Sequence, residues 1–480
     1  MNLSSKLKKI PKVSVLSVIC KKRSVNLWLV GGFLRDVYLK VDKPLLDFDF
    51  CVEKNTTAVA REFARKIKAK CIVLDKAHES LRVILKKKSV YYTYDFTRLR
   101  GKDFLEDLAL RDFSVNTLAV KLGQKPLELV DYYQGKRDLN SKIARVIREK
   151  VIADDPLRIL RGFFLMANYN FRIEPRTLMV MKKNKHLIKK VSSERVSEEF
   201  FKILGAKSSY KVIKLIDQFK IIDELIPEVT SMRGVRQGSY HHLPVWKHSL
   251  EALRQFELLI QKRLIKDKEI YRYLNEEIAY RRKRVQIIKL ACLLHDVGKP
   301  QAKKRLNKKT IFHTHEKIGR DMVVKIGKRM RLSVREIEVL KKLIFWHLRP
   351  GYLADQMNPT KRAIYRFFRD TQNDGAAVII LSLSDWRATC GPLINPAKRK
   401  KHEKVMLGLI DGYFVENDKK PLPKLVDGYD IMRQFKLKPS ILVGKILGKV
   451  HEDQALGKIS TKQEAYRLAE KLIPKKAKKK

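Results

Sequence analysis

The chain has 480 residues, and its 105 lysines and arginines against 52 aspartates and glutamates give a formal net charge of +53 at pH 7. This length allows several buried cores, and we expect three or four modules. No apolar run reaches the roughly 18 residues of a membrane helix, which excludes a membrane-spanning protein. The charge favours a nucleic-acid partner bound through its phosphates, although a lysine-rich proteome would explain part of it.

The N-terminal run VSVLSVIC is short, is followed by Lys-Lys-Arg and has no small-residue cleavage site, so it is interpreted as the first structural element and not as an export signal. The lysine-rich arm KLKKIPK and tail KLIPKKAKKK are interpreted as solvated electrostatic tethers. The spacing of the cysteines indicates reduced thiols in a cytoplasmic protein, without a zinc knuckle or a disulfide framework. They are Cys20, Cys51, Cys71, Cys292 and Cys390.

Residues 27–50, LWLVGGFLRDVYLKVDKPLLDFDF, predict a strand, a Gly31-Gly32 turn, a short helix and two aspartates. Strand alternation places Asp47 and Asp49 on one face, where their charge requires a divalent cation. Two glycines that open a helix supply backbone N–H donors for a phosphate tail. Together these are parts of a two-metal nucleotidyl transfer site. Taken alone, an Asp-x-Asp is more often a turn and a Gly-Gly is usually only a loop.

Charged residues follow these motifs in a recognisable order. Asp95 ends the strand SVYYTYDF as a candidate third carboxylate, and LALRDFSVNTLAV is expected to carry Arg111, Asp112 and Asn116 into a helix. The segments LVDYYQGKRDL and DDPLRILRGFFLMANYNF then add Asp131, Gly135, Asp154, Asp155, Arg158 and Arg161. The series resembles the tRNA nucleotidyltransferase and bacterial poly(A) polymerase family, whose catalytic head belongs to the DNA polymerase beta superfamily. The resemblance covers nearly the whole chain.

The resemblance implies roles at matching positions. It makes Asp47 and Asp49 the magnesium pair, with Asp95 as a further catalytic carboxylate. It places Gly31, Gly32, Arg35 and Asp36 in the triphosphate-binding turn, Arg111 and Asp112 in the ribose-recognition segment, and Asp155 with Arg158 in the pair that reads the base; Asn116 and Arg161 complete the expected nucleotide-binding set. The family usually has arginine where this chain has Leu110.

The chemistry of Asp155 and Arg158 suits base reading. A carboxylate accepts from an exocyclic amine and a guanidinium donates to ring acceptors, so the pair can imitate a Watson–Crick edge. The alternative is an i,i+3 salt bridge on a helix surface.

The hydrophobic period changes along the chain and predicts the domain organisation. We expect a basic arm and first element (1–24), an α+β nucleotidyltransferase head with a mixed sheet (25–138) and a helical RNA-binding neck (139–235). An all-α HD domain (236–397) and a helical tRNA-binding region with a lysine-rich tail (398–480) follow. RQGSYHHLPVW is the expected boundary loop before the HD domain, and KRKKH opens the last region.

The fourth segment carries histidines and aspartates spread over several predicted helices. Imidazole and carboxylate ligands suit a transition metal, and an adjacent His-Asp pair lets a carboxylate bind or bridge beside an imidazole. The order resembles that of HD phosphohydrolases and implies a site for Mn, Ni, Co or Fe; a retained but inactive fold is the alternative. The implied ligands are His248, His295, Asp296, His315, His347 and Asp385.

The C-terminal segment resembles the region that follows the HD domain in fused bacterial enzymes. Pro439-Ser440 is expected to cap a helix that faces a phosphate, with Lys445 and Lys449 one turn apart for RNA binding. An ordinary amphipathic helix with solvated lysines explains the same residues.

The expected function is template-independent addition of CCA to the tRNA 3′ end from CTP and ATP, with magnesium in the head and a phosphohydrolase activity in the HD domain. The alternatives are a poly(A) polymerase, or an HD phosphodiesterase with a degenerate RNA-binding head. Only Leu99–Leu105 separate the third-carboxylate strand from the EDLALRD segment, where enzymes that add all three nucleotides generally carry a flexible loop. Its lack resembles the CC-adding branch, which would need a separate A-adding enzyme in the same cell.

Overall fold

A computed structural model describes residues 7, 10–41, 46–88, 90–124, 126–238, 241–261, 268–279, 281–307, 309–356, 358–389, 395–418 and 422–474. Cys390, most of the tail and part of the basic arm lie outside the described residues. The chain divides into two compact units, Met1–Leu225 and Ile226–Lys480. The finer boundaries at 24, 138, 235 and 397 stay predictions.

The first unit contains a mixed seven-stranded sheet in the order β3-β4-β5-β2-β1-β6-β7. β2 pairs parallel with β5, and the other pairings are antiparallel. The strands are β1 (Leu27–Val30), β2 (Asp47–Val52), β3 (Lys70–Asp75), β4 (Ser80–Lys87), β5 (Val90–Arg98), β6 (Ala119–Lys121) and β7 (Leu129–Val130). The expected α+β head with a mixed sheet is therefore confirmed.

Alternation along β2 and β5 decides which face of the sheet is the core. Phe48 and Phe50 of β2 and Tyr94 and Phe96 of β5 are buried, and Phe63 packs edge-on at 5.1 Å from the Tyr94 ring. Since successive side chains of a strand point to opposite faces, the intervening aspartates are placed on the other face.

Helices surround the sheet and fill the rest of the unit, with a short pair of strands β8 (Ile143–Ala144) and β9 (Arg172–Ile173). The segment expected to carry Arg111, Asp112 and Asn116 into a helix forms only a 3₁₀ turn, Ser114–Asn116. The helices are α1 (Val13–Arg23), α2 (Gly32–Tyr38), α3 (Thr56–Lys66), α4 (Phe104–Ala109), α5 (Gly135–Ser141), α6 (Lys150–Asp154), α7 (Arg158–Tyr169), α8 (Pro175–Asn184), α9 (Ser193–Leu204), α10 (Ser209–Gln218) and α11 (Ile222–Leu225).

The second unit is mostly helical, and the helix α21 (Gly375–Ala388) lies at its centre. Eleven of its 14 residues are buried, as expected for a helix that is apolar all round. It begins with α12 (Val229–Met232), α13 (Val245–Gln261), α14 (Lys268–Leu274), β10 (Glu277–Ala279), β11 (Arg282–Lys283), α15 (Arg284–Leu294), α16 (Lys299–Ala302), β12 (Lys304–Leu306), β13 (Lys309–Ile311), α17 (His315–Arg329), α18 (Val334–Trp346), α19 (Arg349–Asp355), α20 (Lys361–Thr371) and α21 (Gly375–Ala388).

Four helices complete the unit: α22 (Pro396–Asp418), α23 (Gly428–Phe435), α24 (Ile441–Ala455) and α25 (Lys462–Leu472). The last three share an apolar cluster that includes Ile431, Ile446 and Ala465. Among the described residues, no helix is both long and apolar enough to cross a membrane.

Candidate functional site

The first candidate site lies on the sheet of the first unit, where three carboxylates share one face. β2 and β5 pair with Asp49 opposite Asp95, and Asp47 precedes Asp49 by two residues. Gly31 lies against them with a φ of +80°, and a Cβ there would be 2.9 Å from Asp49 Oδ2. Only glycine allows the turn to approach the carboxylate this closely.

The electrostatics of these carboxylates suit a cation. Burial, reinforced by the charge of Asp95, raises the pKa of Asp49 to about 6. Arg82 donates two hydrogen bonds of 2.7 Å to Asp95, whereas Thr93 donates to Asp47. The donor set therefore consists of three clustered carboxylates, of which Asp95 accepts from an arginine through both oxygens, and it fits a magnesium ion.

The turn after β1 is followed by a buried network around Arg35. Its guanidinium donates to Asp36 at 2.9 and 2.8 Å, to Asn116 at 2.8 Å and to the Tyr169 hydroxyl at 2.9 Å. Arg35 is thus held in one orientation beside the carboxylates, and the Gly31-Gly32 backbone opens α2 in front of it.

A second network holds Asp112 and Arg161. Arg161 lies 3.0 Å from Asp112, which also accepts from Asn116 at 3.0 Å and from its neighbour's amide. Burial alone would raise the pKa of Asp112, but Arg161 and these hydrogen bonds lower it. Arg111 forms a separate ion pair with Asp107 at 3.1 Å.

The structure does not join the Asp155 carboxylate to the Arg158 guanidinium by a hydrogen bond or an ion pair, although the Arg158 amide donates to the Asp155 carbonyl at 3.0 Å. Asp155 accepts from Arg195 at 3.0 Å, while Arg158 donates to the carbonyls of Val151 and Leu110 at 3.0 and 2.8 Å. The expected alternative, a surface i,i+3 salt bridge, is therefore absent between these two described residues.

A cavity of about 420 Å³ brings together part of the expected site, namely Gly32, Arg35, Asp36, Asp47, Asp49, Asn116 and Arg161. Asp95, Arg111, Asp112, Asp155 and Arg158 are not among its lining residues. Sequence reasoning missed the side of the cavity formed by α7 and α9. Amphipathic spacing is the only signal at these positions, and it does not distinguish a cavity wall from a core face. The missed residues are Phe164, Leu165, Tyr169, Glu199 and Lys202.

The second candidate site lies in the second unit and is deeply buried. It collects side chains from five separate positions along the chain, on or beside α13, α15, α17, α18 and α21. The exposed fractions of the five most buried residues do not exceed 6%, and that of the Asp385 side chain is 18%. All six expected ligands come together here: His248, His295, Asp296, His315, His347 and Asp385.

Asp296 lies at the centre of two groups of ligand atoms. Its Oδ2 is 3.2 Å from His295 Nε2 and 3.9 Å from His248 Nε2, and its Oδ1 is 3.4 Å from His315 Nε2 and 4.0 Å from His347 Nε2. Each group could hold one metal ion. A shared carboxylate can bridge two ions.

Hydrogen bonds fix which imidazole nitrogen faces this space. The Nδ1 atoms of His295, His315 and His347 lie 3.0, 2.8 and 2.6 Å from backbone carbonyls three residues earlier, so each donates, and the neutral form of each ring has its lone pair on Nε2. All three Nε2 atoms are buried without a hydrogen-bond partner among the described residues. Imidazole nitrogens without a hydrogen-bond partner, placed beside carboxylates, are ligands that transition metals bind, so the residues of this site fit such an ion.

The surrounding charges agree with that fit. Burial alone lowers the pKa of His295, but Asp296 and Asp385 outweigh burial and raise it to about 10. Burial, with the nearby His315 and His295, lowers the pKa of His347 to about 3. The carboxylates beside His295 thus favour a positive charge in the cluster, whereas His347 is kept neutral.

Sequence reasoning missed two residues beside this cluster. Lys299 lies 2.7 Å from Asp296 and donates to Gln237 at 2.6 Å. The His241 ring lies 4.8 Å from that of His248, and burial lowers its pKa to about 3. The signals were present, since Lys299 is one turn beyond the His-Asp pair and His241 lies in the segment interpreted only as a boundary loop.

The expected C-terminal RNA-binding pair is split. α24 begins after Ser440 as predicted, but the Ser440 side chain accepts no cap hydrogen bond. Lys445 is exposed, whereas Lys449 pairs with Asp453 at 2.7 Å and with Glu452 at 3.4 Å. RNA binding by this helix stays a prediction.

Family models match three successive parts of the chain. "Poly A polymerase head domain" matches residues 27–145, "Probable RNA and SrmB- binding site of polymerase A" matches residues 170–233, and "HD domain" matches residues 245–388. The first range contains Asp47, Asp49 and Asp95, and the third contains all six expected metal ligands of the second unit, whereas Asp155, Arg158 and Arg161 lie between the first two ranges.

Curated relatives align along most of the chain. An A-adding tRNA nucleotidyltransferase of Deinococcus radiodurans is 27% identical over 91% of this chain and 93% of its own length. A CC-adding tRNA nucleotidyltransferase of Thermus thermophilus is 28% identical over 91% of each chain.

Solved structures show the same fold. A CCA-adding enzyme of Thermotoga maritima in complex with tRNA superposes with a TM-score of 0.63 at 21% identity, covering 98% of both chains. A CCA-adding enzyme with CTP gives a TM-score of 0.64 at 20% identity, covering 97% of both chains.

Proposed function

Because the chain belongs to the family of tRNA nucleotidyltransferases and bacterial poly(A) polymerases, with an HD domain, we propose that its head adds nucleotides to the 3′ end of tRNA. CTP would be the donor, joined by ATP only if addition continues to the terminal adenosine, and pyrophosphate would be released. The observation that carries the proposal is the face shared by Asp47, Asp49 and Asp95 beside the Gly31-Gly32 turn.

Asp47 and Asp49 would hold magnesium, which when bound supplies Lewis acidity toward the RNA 3′-hydroxyl and the leaving pyrophosphate. The chain's own residues contribute positioning, which carries most of the catalysis in phosphoryl-type transfer. Amides of the glycine turn would bind the phosphate tail, and Arg161, anchored on Asp112, would face it across the cavity.

Base selection would use Asp155 and Arg158 after a change of partners. Cytosine and adenine both present an exocyclic amine, which can donate a hydrogen bond to a carboxylate. Both also present a ring nitrogen, which can accept a hydrogen bond from a guanidinium. In this proposal Arg195 releases one oxygen of Asp155, and Arg158 exchanges its carbonyl partners for the base.

We infer that the head stops after two cytidines. α4 begins at Phe104, so the connection after β5 is only residues 99–103, shorter than the seven residues expected. It is also tied down: the amide of Arg100 donates to Asp107 at 3.1 Å and that of Lys102 to Glu106 at 2.7 Å. A five-residue turn held at both ends cannot act as a mobile lever. A separate A-adding enzyme in the same cell would then complete the end.

Sequencing of reaction products tests both statements. The substrates are two tRNA transcripts, one that ends at the discriminator base and one that ends at CC, each incubated with magnesium and CTP, ATP or both. Ends that stop at CC support the inference, and completion to CCA by this chain alone refutes the loop argument. Adenosine tails would indicate a poly(A) polymerase, and adenosine added only to a CC end would indicate an A-adding enzyme. A lack of any addition overturns the proposal for the head.

For the second unit we propose a metal-dependent phosphohydrolase with two ions sharing Asp296. The observation that carries it is the set of three buried, unpartnered Nε2 atoms around that carboxylate. Metal analysis of the purified protein and a phosphoester panel with Mn, Ni, Co or Fe test it. Protein that binds no transition metal and hydrolyses nothing would establish the inactive fold.

A further inference from the structure

The β12–β13 hairpin of the second unit is strongly basic and lacks a partner for its charge. Residues 303–309 read KKRLNKK, with five basic residues and no acidic one. Of these, Lys303, Lys304, Arg305 and Lys309 are described, and all four are exposed without an ion pair to another described residue. The hairpin forms a sheet of only two strands, in which Leu306 pairs with Lys309. Four clustered like charges on so small a sheet repel one another, and a polyanion would relieve that repulsion.

The residues that flank the hairpin on either side, Lys299 and Phe312, line the same cavity of the second unit. Lys299 lies four residues before Lys303, and Phe312 lies three residues after Lys309. The Lys299 ammonium lies 5.7 Å from the centre of the Phe312 ring, so the two ends meet. The chain therefore places the basic hairpin at the rim of this cavity.

The cavity leads to the HD cluster, which is the group of six expected metal ligands around Asp296 described above. Its volume is about 580 Å³, and His315 and Lys299, which both reach Asp296, form part of its wall. The wall also carries aromatic rings, cations and one carboxylate, that of Glu316: the Arg349 guanidinium lies 4.8 Å from the Trp346 ring centre, and Tyr352 is 62% exposed. Aromatic rings can stack on a base, and the cations can pair with a phosphate.

We propose that this cavity takes the phosphate-bearing end of a single-stranded RNA, whose next backbone phosphates lie along the basic hairpin. The proposal rests on the phosphohydrolase function proposed for the second unit and names its substrate class. Water would add to the terminal phosphorus, one ester P–O bond would break, and the released ribose oxygen would take a proton.

The hairpin distinguishes a strand end from a free nucleotide. A mononucleotide fills the cavity and finds its phosphate partners there, at Lys299 and the metal cluster. The four cations of the hairpin lie beyond that cavity, so they contribute only if the ligand continues past the first nucleotide. Each phosphate contact of a single strand also makes the binding constant depend on salt: the logarithm of the association constant falls with the logarithm of the salt concentration with a slope of about −0.7 per contact.

The test compares two substrates in two matched variants of the full-length protein. One variant replaces Lys303, Lys304, Arg305 and Lys309 by Gln; the control replaces four exposed lysines of the first unit, Lys54, Lys70, Lys87 and Lys88, by Gln. The substrates are a heptanucleotide that ends in a 2′,3′-cyclic phosphate and cytidine 2′,3′-cyclic phosphate. The readout is the ratio of kcat/KM for the heptanucleotide to kcat/KM for the mononucleotide.

We expect the hairpin variant to lower this ratio about tenfold or more at low salt, and its salt slope to become shallower by about 2 to 3. The control should keep the wild-type ratio. An unchanged ratio in the hairpin variant overturns the proposal. So does equal inhibition of the wild type by poly-glutamate and by an RNA of the same charge, because it would indicate a general docking site for acidic proteins.

A second readout separates failure of this proposal from failure of the hydrolase function. If the wild type hydrolyses neither substrate, a heptanucleotide with a terminal 4-thiouridine and 3′-phosphate is photo-cross-linked to the protein. Cross-links within residues 303–316 support the strand-end site even in an inactive fold. Cross-links confined to residues 1–225 overturn it.

Discussion

The two sites place carboxylates in opposite surroundings. In the head, Asp47 is exposed, Asp49 follows it by two residues in the same strand, and Arg82 pairs with Asp95. In the HD cluster, Asp296 is 1% exposed and is surrounded by imidazoles whose hydrogen bonds to carbonyls fix their orientation.

The difference indicates two ways of using a metal. A buried cluster with fixed ligands has little to reorganise when an ion binds, so we expect its metal to remain bound through purification. A carboxylate face with few fixed ligands suits magnesium, which keeps several waters and usually binds together with substrate phosphates. The head metal should therefore exchange with solution, while the HD metal should not.

The largest effect should follow from removing a head ligand. Asp49→Ala should lower the rate of nucleotide addition at least about a hundredfold, because bound metal supplies several kcal/mol of transition-state stabilisation. Binding of tRNA, measured by filter retention, should not change, since the basic surface carries affinity. Asp75→Ala, at an exposed aspartate of the same sheet, is the control. Addition by the Asp49→Ala protein at more than about a tenth of the wild-type rate would contradict the role of Asp49 as a ligand of the catalytic metal.

The next effect tests the buried cluster. His295→Ala combined with Asp296→Ala should lower the bound transition metal to less than about a tenth of the wild-type amount, because one ligand group loses two members and the other loses one. Nucleotide addition should remain. His242→Ala, at an exposed histidine of the same unit, should keep the metal. Equal metal content in the double variant and the wild type would show that the ion binds elsewhere.

Local pattern was sufficient for much of the secondary structure of the head. Period-two alternation predicted β2 and β5, and it correctly placed Asp47 and Asp49 on one face. The histidines of the second unit were identified by their resemblance to HD phosphohydrolases, and the structure brings them together, whereas metal binding by them stays a prediction. The LALRDFSVN segment was wrong as a helix, because the buried Asp112 accepts from Asn116 and from the amide of its neighbour, and these local bonds compete with helical ones.

Long-range pairings could not be predicted from the sequence. The pairing of Arg82 with Asp95 depends on the register between β4 and β5, and that of Asp155 with Arg195 joins residues 40 positions apart. Nor does any local rule indicate that Arg158 donates to two carbonyls. Such contacts are fixed by tertiary packing, which a single sequence pattern does not encode.

A smaller effect should follow from a single methyl group in the head. Gly31→Ala places a Cβ 2.9 Å from Asp49 Oδ2 in a conformation with positive φ, so the carboxylate must move. We expect kcat to fall about tenfold while the KM for tRNA is unchanged, since misplacement of a ligand costs positioning. Gly123→Ala is a matched control, because its φ is +88° but no atom lies within 4 Å of the added Cβ. If both variants lose the same activity, backbone strain and not the contact is responsible.

The smallest effect concerns stability and follows from the pKa of Asp49. Because burial and Asp95 raise this pKa to about 6, the folded head binds the proton more tightly than the unfolded chain, whose carboxyl has a pKa of about 3.9. Stability from this group is therefore lost as the pH rises from about 4 to 6, at a cost of at most about 3 kcal/mol at neutral pH.

Asp49→Asn removes that cost without changing the shape of the side chain. In EDTA at pH 7.5 its thermal midpoint should lie several degrees above that of the wild type, and the difference should shrink toward pH 4.5. Magnesium should narrow the gap at pH 7.5, because the bound ion compensates the wild-type carboxylate. Asp75→Asn should show the opposite sign, since the hydrogen bonds from His78 lower the pKa of Asp75. A gap that does not vary with pH would mean that Asp49 carries no excess charge to be neutralised, and the head would then lack the electrostatic reason to bind a metal.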